Sequence, residues 1–342
     1  MILVVALNPA LDITHHVAGV DWAGANRPSA VHARAGGKGL NVARTLRALG
    51  QPVTLTGLAG GLTGRALLDG LDGTGIVTEL TPIAGETRRT FAVADSVTGQ
   101  TALFNEPGPA VSGPEYRQFF VTYDKALASA AAVVLSGSLP PGVPPDSYAG
   151  LIAAAGRAGV PAVLDASGDA LASGAAAGPA LVKPNLAELE TAAGRGLRTA
   201  AENHAPELPE VEAAAYGART ADGPDLPAVE AAARGLVALG AGAVVVSLGP
   251  HGLLAVGPDG TWHARPPGPV SGNPTGAGDA VVAGLADSLA RGHDWPAMLR
   301  HAAALGTASA VTPVAGEFAL ADYERLVTTV QVIGAGPGRE RG

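Results

Sequence analysis

The chain has 342 residues, with 22 Lys and Arg against 30 Asp and Glu, a formal net charge of −8, and no cysteine. That length can bury a sizeable core, and the acidic balance argues against nucleic-acid or anionic-membrane partners. Without cysteine, disulfides and thiolate metal sites are excluded; no apolar stretch reads as a membrane span, and the Ala-rich 126–135 segment is too short.

The chain opens on an apolar run, Ile2–Leu7, with no basic leader and a break at Asn8-Pro9. It reads as a buried strand and not a signal peptide, so a cytoplasmic location is expected. Residues 12–35 follow in an extended, alternating pattern. His15 and His16 there must face opposite sides, which disfavours a histidine metal site. Next comes "RAGGKGLNVARTLRALG", residues 34–50. Gly36 and Gly37 allow a close backbone approach, Lys38 adds a cation, and Asn41 falls in a first helical turn. A glycine turn capped by Asn is the plain alternative. A phosphate-binding loop of the Gly-Lys-Ser/Thr type fails, because Lys38 is followed by Gly39. Val42, Leu46 and Leu49 line one face of a helix over Leu40–Leu49, stopped by Gly50.

A strand at Val53–Gly57 leads to a helix at Gly64–Leu71; the "GLAGGLTG" between lacks dinucleotide spacing. Residues 87–106 alternate again, with a hairpin turn near Thr98-Gly99. Arg88 and Arg89 are neighbours in that strand, so only one can point into a cleft; a solvated edge suits the other. Strands at Val133–Ser136, Ala162–Asp165, Leu181–Lys183 and Val244–Leu248 alternate with helices at Pro145–Ala158 and Val229–Leu239. The first ends in "SGSLPPG", which contains Ser138. The third ends at Lys183, with Asn185 and Glu188 three residues apart just beyond it. That pair suits magnesium held through water, or an ordinary capping box. "SLGPHG", with Ser247, Gly249 and Gly252, makes a glycine-rich turn between two strands. Residues 199–227, rich in Pro, Glu and Asp, read as a surface insertion, and 334–342 as a disordered tail.

Near the end stands "SGNPTGAGDAVVAGLADSL", residues 271–289. Asp279 after Gly276, Ala277 and Gly278 is either a helix cap or an acid beside a backbone anion hole. Continuous apolar strands separated by helices argue an α/β fold with a mostly parallel sheet covered on both faces, in one domain over 1–333. Residues 12–35 and 87–106 would form a small antiparallel β-lid. In such sheets ligands collect at the carboxyl ends of the strands.

Taken in order, "NPALD", "GGKGLNVAR", "SGSLPPG", "KPNLAEL", "SLGPHG" and "GNPTGAGDAVVAG" resemble the ribokinase/PfkB family of carbohydrate kinases over residues 2–315. "NPALD" and "NEPGP" (105–109) point toward its hexose-phosphate kinases, which act on fructose 1-phosphate, fructose 6-phosphate or tagatose 6-phosphate. The resemblance implies a Rossmann-like body with a β-lid that often mediates a homodimer, and ATP and Mg2+ as cofactors. It implies that Asp279 is the catalytic base and that Gly276, Ala277 and Gly278 form the anion hole. Asp12, Gly37 and Asn41 would hold sugar hydroxyls, and Lys38, Arg88 and Arg27, the last reaching across a dimer, the acceptor's own phosphate, with Ser138 nearby. Lys183, Asn185 and Glu188 would lie around the ATP phosphates and magnesium, and Ser247, Gly249 and Gly252 along the nucleotide groove. Thr90 departs from the family pattern after the substrate-binding arginine, Ala35 stands where many relatives have proline, and Asn273-Pro274-Thr275 also differs. The alternatives are a kinase of an unphosphorylated sugar or nucleoside, and a nucleotide-binding regulator without catalysis.

Overall fold

The lid arises because the chain leaves the α/β body twice. In the computed structural model, which describes residues 1–192, 219–220, 223–268, 275–312 and 316–335, strand β1 (Ile2–Ala6) gives way to β2 (Ala10–Val17) and β3 (Ala30–Gly36). The chain returns through α1 (Lys38–Ala48), β4 (Val53–Gly60), α2 (Gly61–Asp69) and β5 (Val77–Ile83), then leaves again as β6 (Arg88–Asp95) and β7 (Thr101–Asn105). Regular alternation follows: α3 (Gly113–Leu127), β8 (Ala132–Ser136), α4 (Ser147–Arg157), β9 (Ala162–Asp165), α5 (Gly168–Ala176) and β10 (Leu181–Val182). A short pair, β11 (Arg219–Thr220) and β12 (Gly223–Pro224), precedes α6 (Leu226–Leu239), β13 (Val244–Ser247), β14 (Leu253–Gly257) and β15 (Gly260–Arg265). Helices α7 (Ala277–Arg291), α8 (Trp295–Ala310) and α9 (Leu320–Val327) lead to β16 (Gln331–Ala335).

The body sheet runs β16-β15-β14-β13-β10-β9-β8-β1-β4-β5. It is parallel from β13 to β5 and antiparallel beyond β13. Strands β1, β8 and β9 are apolar up to their carboxyl ends because both faces are covered. Leu3, Val5, Leu135 and Leu164 join Phe119, Tyr123, Tyr148 and Leu151 on one side. Ile2, Val4, Val134 and Val163 join Leu40, Leu46, Val282, Leu285 and Leu299 on the other. This places α1 and α7 on the same face, so their N-termini meet at the carboxyl end of the sheet. No described helix is long and apolar enough to cross a membrane.

The lid is a four-stranded sheet, β3-β2-β6-β7. Its outer pairings are antiparallel, while β2 and β6 run parallel at its centre because they belong to separate excursions. The Thr98-Gly99 hairpin forms as expected, with Gly99 at φ 71°. Two boundaries are corrected. Gly334 and Ala335 are not the start of a disordered tail: they pair with Trp262 and Thr261 as the end of β16, and residues 336–342 lie outside the described residues. Most of the 199–227 insertion also lies outside them, whereas Leu226 and Pro227 already belong to α6, which Pro at its first turn suits.

Candidate active site

The carboxyl ends of β8, β9 and β10 meet near the start of α7. Asp165 closes β9 and is 1% exposed. Its Oδ2 accepts from Ser136 Oγ at 3.1 Å, at the end of β8. Its Oδ1 pairs with Lys183 Nζ at 3.3 Å and Lys38 Nζ at 3.4 Å. Burial works against the Asp165 charge, but the Lys183 and Lys38 ammoniums offset it and hold the carboxyl below its ordinary range. Burial likewise opposes the Lys38 charge; Asp165, Glu188 and Asp279 outweigh it and raise the Lys38 pKa. The result is a buried carboxylate that turns two cations inward. Removing one partner of such a set leaves an uncompensated charge, a cost of about 3–5 kcal/mol.

Asp279 stands in the first turn of α7 and is buried. It is not the helix cap. Gly276 occupies that position at φ 87°, a left-handed conformation that a side chain would strain, and no side-chain cap bond is made. A helix start leaves its first amides without intrahelical partners, so those of Ala277 and Gly278 are available to an anion. A Cβ on Gly278 would stand 3.8 Å from Lys183 Nζ, which places that ammonium beside the same turn. Asn41 Nδ2, from α1, donates to Asp279 Oδ2 at 2.8 Å. Burial, with the negative Asp165 nearby, pushes the Asp279 carboxyl up to about 7, against the opposing pull of Asn41, Lys38 and Lys183. A group with that pKa can both take and release a proton near neutrality.

The lid brings its own set. Period-2 alternation places Asp12, Thr90 and Arg88 on one face, as the pairing of Asp12 with Thr90 requires. Arg88 is half-buried: its Nε donates to Asn8 O at 3.0 Å and Nη1 to Glu106 O at 3.2 Å. Arg89 takes the opposite face, exposed, in an ion pair with Glu106 at 3.0 Å. Asp12 Oδ2 accepts from Gly37 N at 3.4 Å. Burial raises the Asp12 pKa, while the Gly37 amide, the Thr90 hydroxyl, Arg88 and Arg44 pull it down. Thr90, unusual for the family, is thus a partner of Asp12.

Just beyond β10 the capping-box reading of Asn185 and Glu188 holds. Glu188 N donates to Asn185 Oδ1 and Asn185 N to Glu188 Oε2, each at 2.9 Å. The same Glu188 turns Oε1 toward Lys38 Nζ at 3.6 Å, so a structural bond and a site-facing oxygen coexist. Asn185 bridges Ser247 of β13, and Gly249 opens the exposed turn that closes at Gly252. Ser138 joins the lid side, where its Oγ accepts from Asn8 Nδ2 at 3.0 Å.

Two residues expected with Arg88 at the acceptor's phosphate make other contacts in the single chain. Lys38 Nζ stands between Asp165 and Glu188. Arg27 is exposed in the connection between β2 and β3, outside the described contacts of the site. Residues 273–274 lie outside the described residues, while Thr275 is exposed. Asp165 and Ser136 were not foreseen as site residues, although both end parallel strands, where ligands gather.

A profile described as pfkB family carbohydrate kinase matches residues 5–317. Phosphofructokinase-2 from Escherichia coli in complex with fructose-6-phosphate is 30% identical; the match covers 96% of this chain and 98% of that one, with a TM-score of 0.77. The same enzyme in a tetrameric inhibited form has identical shares and identity and a TM-score of 0.79. A possible 1-phosphofructokinase from Thermotoga maritima is 26% identical over 98% of this chain and 99% of that one, with a TM-score of 0.79.

Proposed function

The chain belongs to the pfkB family of carbohydrate kinases, and on that premise we propose that it transfers the γ-phosphoryl group of ATP to a ketohexose monophosphate, namely fructose 1-phosphate, fructose 6-phosphate or tagatose 6-phosphate. Asp279 takes the proton of the acceptor hydroxyl as its oxygen attacks the γ-phosphorus, and the bond to the bridging oxygen of ADP breaks. Asn41 orients one Asp279 oxygen and leaves the other for that proton. The amides of Ala277 and Gly278 receive the charge that spreads over the equatorial oxygens; each such preorganised donor is typically worth about 3 kcal/mol. A positioned base adds about 10²–10⁴-fold, so amides and base carry comparable weight. Lys183 and Lys38, held inward by Asp165, stand at the migrating group; this moves Lys38 from the acceptor's phosphate to the one in transit.

The nucleotide side fits ATP with magnesium: Glu188 offers a hard oxygen beside Lys38, and Ser247, Gly249 and Gly252 border an open turn next to Asn185. Magnesium, when bound, neutralises phosphate charge, and Glu188 would hold it through water. On the acceptor side, Asp12, Gly37 and Asn41 line the sugar.

The observation that carries the choice of a phosphorylated acceptor is Arg88. Of its five N–H groups, two are spent on carbonyls, leaving three uncommitted among the described residues beside Asp12. A neutral sugar has no use for a desolvated guanidinium fork, whereas a phosphate takes it in a bidentate bond. ADP release should therefore be measured with magnesium-ATP and fructose 1-phosphate, fructose 6-phosphate, tagatose 6-phosphate, fructose and ribose. One phosphorylated ketohexose is expected to exceed fructose by about 100-fold in kcat/KM. Equal use of fructose or ribose overturns the reading, and no ADP release with any acceptor returns the chain to the regulator alternative.

The lid supports a homodimer. Its face away from Asp12 and Arg88 carries Ile13, Phe91 and Val93, with Val31 at 54% and Phe104 at 51% exposure on its edge strands. A second lid would cover this apolar face, and Arg27 would then reach an acceptor phosphate from the neighbouring copy. Light scattering should read twice the chain mass, and Phe91→Glu the single mass; a wild-type monomer rules the dimer out.

A further inference from the structure

We propose that Asn8 is a positioning residue for the acceptor's phosphate, acting through Arg88; this rests on the reading of Arg88 given above. Asn8 lies between β1 and β2, where the chain leaves the body for the lid, and is 8% exposed. Its Nδ2 donates to Pro107 O and to Ser138 Oγ, both at 3.0 Å. A proline carbonyl can only accept, so the carboxamide has one possible orientation. Pro107 belongs to the segment by which the chain returns from β7 to the body, and Ser138 to the body loop after β8. One side chain thereby ties two of the lid's crossings to the body.

These bonds close a ring around Arg88. The guanidinium is fixed by two carbonyls, Asn8 O and Glu106 O. Those carbonyls sit on the two crossing segments that Asn8 Nδ2 binds together through Pro107. If the crossings shift, the anchors separate and the three remaining N–H groups of Arg88 lose their aim. Asn8 Oδ1 has no hydrogen-bond partner among the described residues and lies buried against Gly108. Gly108 is at φ 101°, and a Cβ there would collide with that oxygen. A buried, unpaired carbonyl is costly, and here it accompanies the only orientation that serves Pro107. Asn8 of "NPALD", Pro107 and Gly108 of "NEPGP" and Ser138 of "SGSLPPG" thus meet at one carboxamide, which gives these separated segments a shared task.

The test is a double-mutant cycle on kcat and KM, with the preferred ketohexose phosphate and with fructose. Asn8→Ala should raise the KM for the phosphorylated acceptor about tenfold, and leave the KM for ATP and kcat/KM for fructose within about twofold. Combined with Arg88→Ala it should add no more than about twofold to the loss from Arg88→Ala alone, because both changes remove one function. Gly108→Ala, which crowds the same carboxamide, should reproduce the pattern and carries the test should Asn8→Ala misfold. Additive losses, or an equal loss on fructose, would show a merely structural role and overturn the inference. Wild-type enzyme that prefers fructose would instead overturn the function assigned to Arg88, and this inference with it.

Discussion

The two halves of the site are built by different means. On the body side, buried charge is answered directly: Asp165 by the Lys38 and Lys183 ammoniums, Asp279 by the Asn41 carboxamide, which donates to it. The helix that carries Asp279 is pinned along its length, since Asp287 accepts from Arg291 Nε at 2.9 Å and pairs with His301 at 3.0 Å, which in turn meets the Tyr323 hydroxyl at 2.8 Å. On the lid side, Arg88 and Asp12 sit half-buried on a thin sheet with a partly exposed outer face, Arg88 held by two backbone carbonyls and Asp12 by the Gly37 amide. A rigid, preorganised half suits the chemistry, which tolerates little displacement. A lightly anchored half suits recognition, which asks less of exact placement than the chemical step does. Changes in the body should therefore strike kcat, and changes in the lid KM.

The largest expected effect breaks the body side. Asp279→Asn removes the proposed proton acceptor while keeping the shape, and should lower kcat by about 10³-fold with ATP binding retained. Near-normal turnover in single-turnover measurements would contradict a base at this position. The next effect is a pH profile. Below the Asp279 pKa, about 7, the carboxyl is protonated and cannot accept the hydroxyl proton. The value of kcat/KM should fall about tenfold per pH unit on that acid side and level off above it. A profile flat between pH 5 and pH 8 (roughly one unit above that midpoint) would exclude Asp279 as the titrating group.

The smallest effect is on stability, and its sign is unusual for an aspartate. Because folding raises this pKa, the neutral form is favoured in the native state. Its contribution is fully present below the unfolded value and is lost as pH rises through about 7. Asp279→Asn, permanently neutral, should therefore melt a few degrees above wild type at pH 8, and this gain should vanish toward pH 4. A variant less stable than wild type at pH 8 would mean that the buried charge is fully compensated.

What could be read in advance follows the same division. The Gly276–Asp279 turn is contiguous, and the two-residue period of a strand suffices to say that Arg88 and Arg89 face opposite ways, though not which of them faces the site. The parallel sheet announced itself through β1, β8 and β9, whose residues are apolar on both faces. Helix α8 did not: buried along most of its length, it has no polar stripe to set its period. Asp165 escaped notice because its meaning lies in Lys38, Lys183 and Ser136, which come from three other elements. The reach of Lys38 to Asp165 and Glu188 was not legible either, because adjacency to a glycine turn says nothing of where a long side chain reaches. The role of Asn8 depends on Pro107 and Ser138, 99 and 130 residues away.

The division of labour is tested most directly by Arg88→Ala, assayed for kcat/KM on the preferred ketohexose phosphate and on fructose. The preference for the phosphorylated acceptor should collapse by about 100-fold through KM, with turnover of fructose unchanged. A preserved preference, or a loss confined to kcat on both acceptors, would contradict an account in which the lid chooses the substrate and the body performs the transfer.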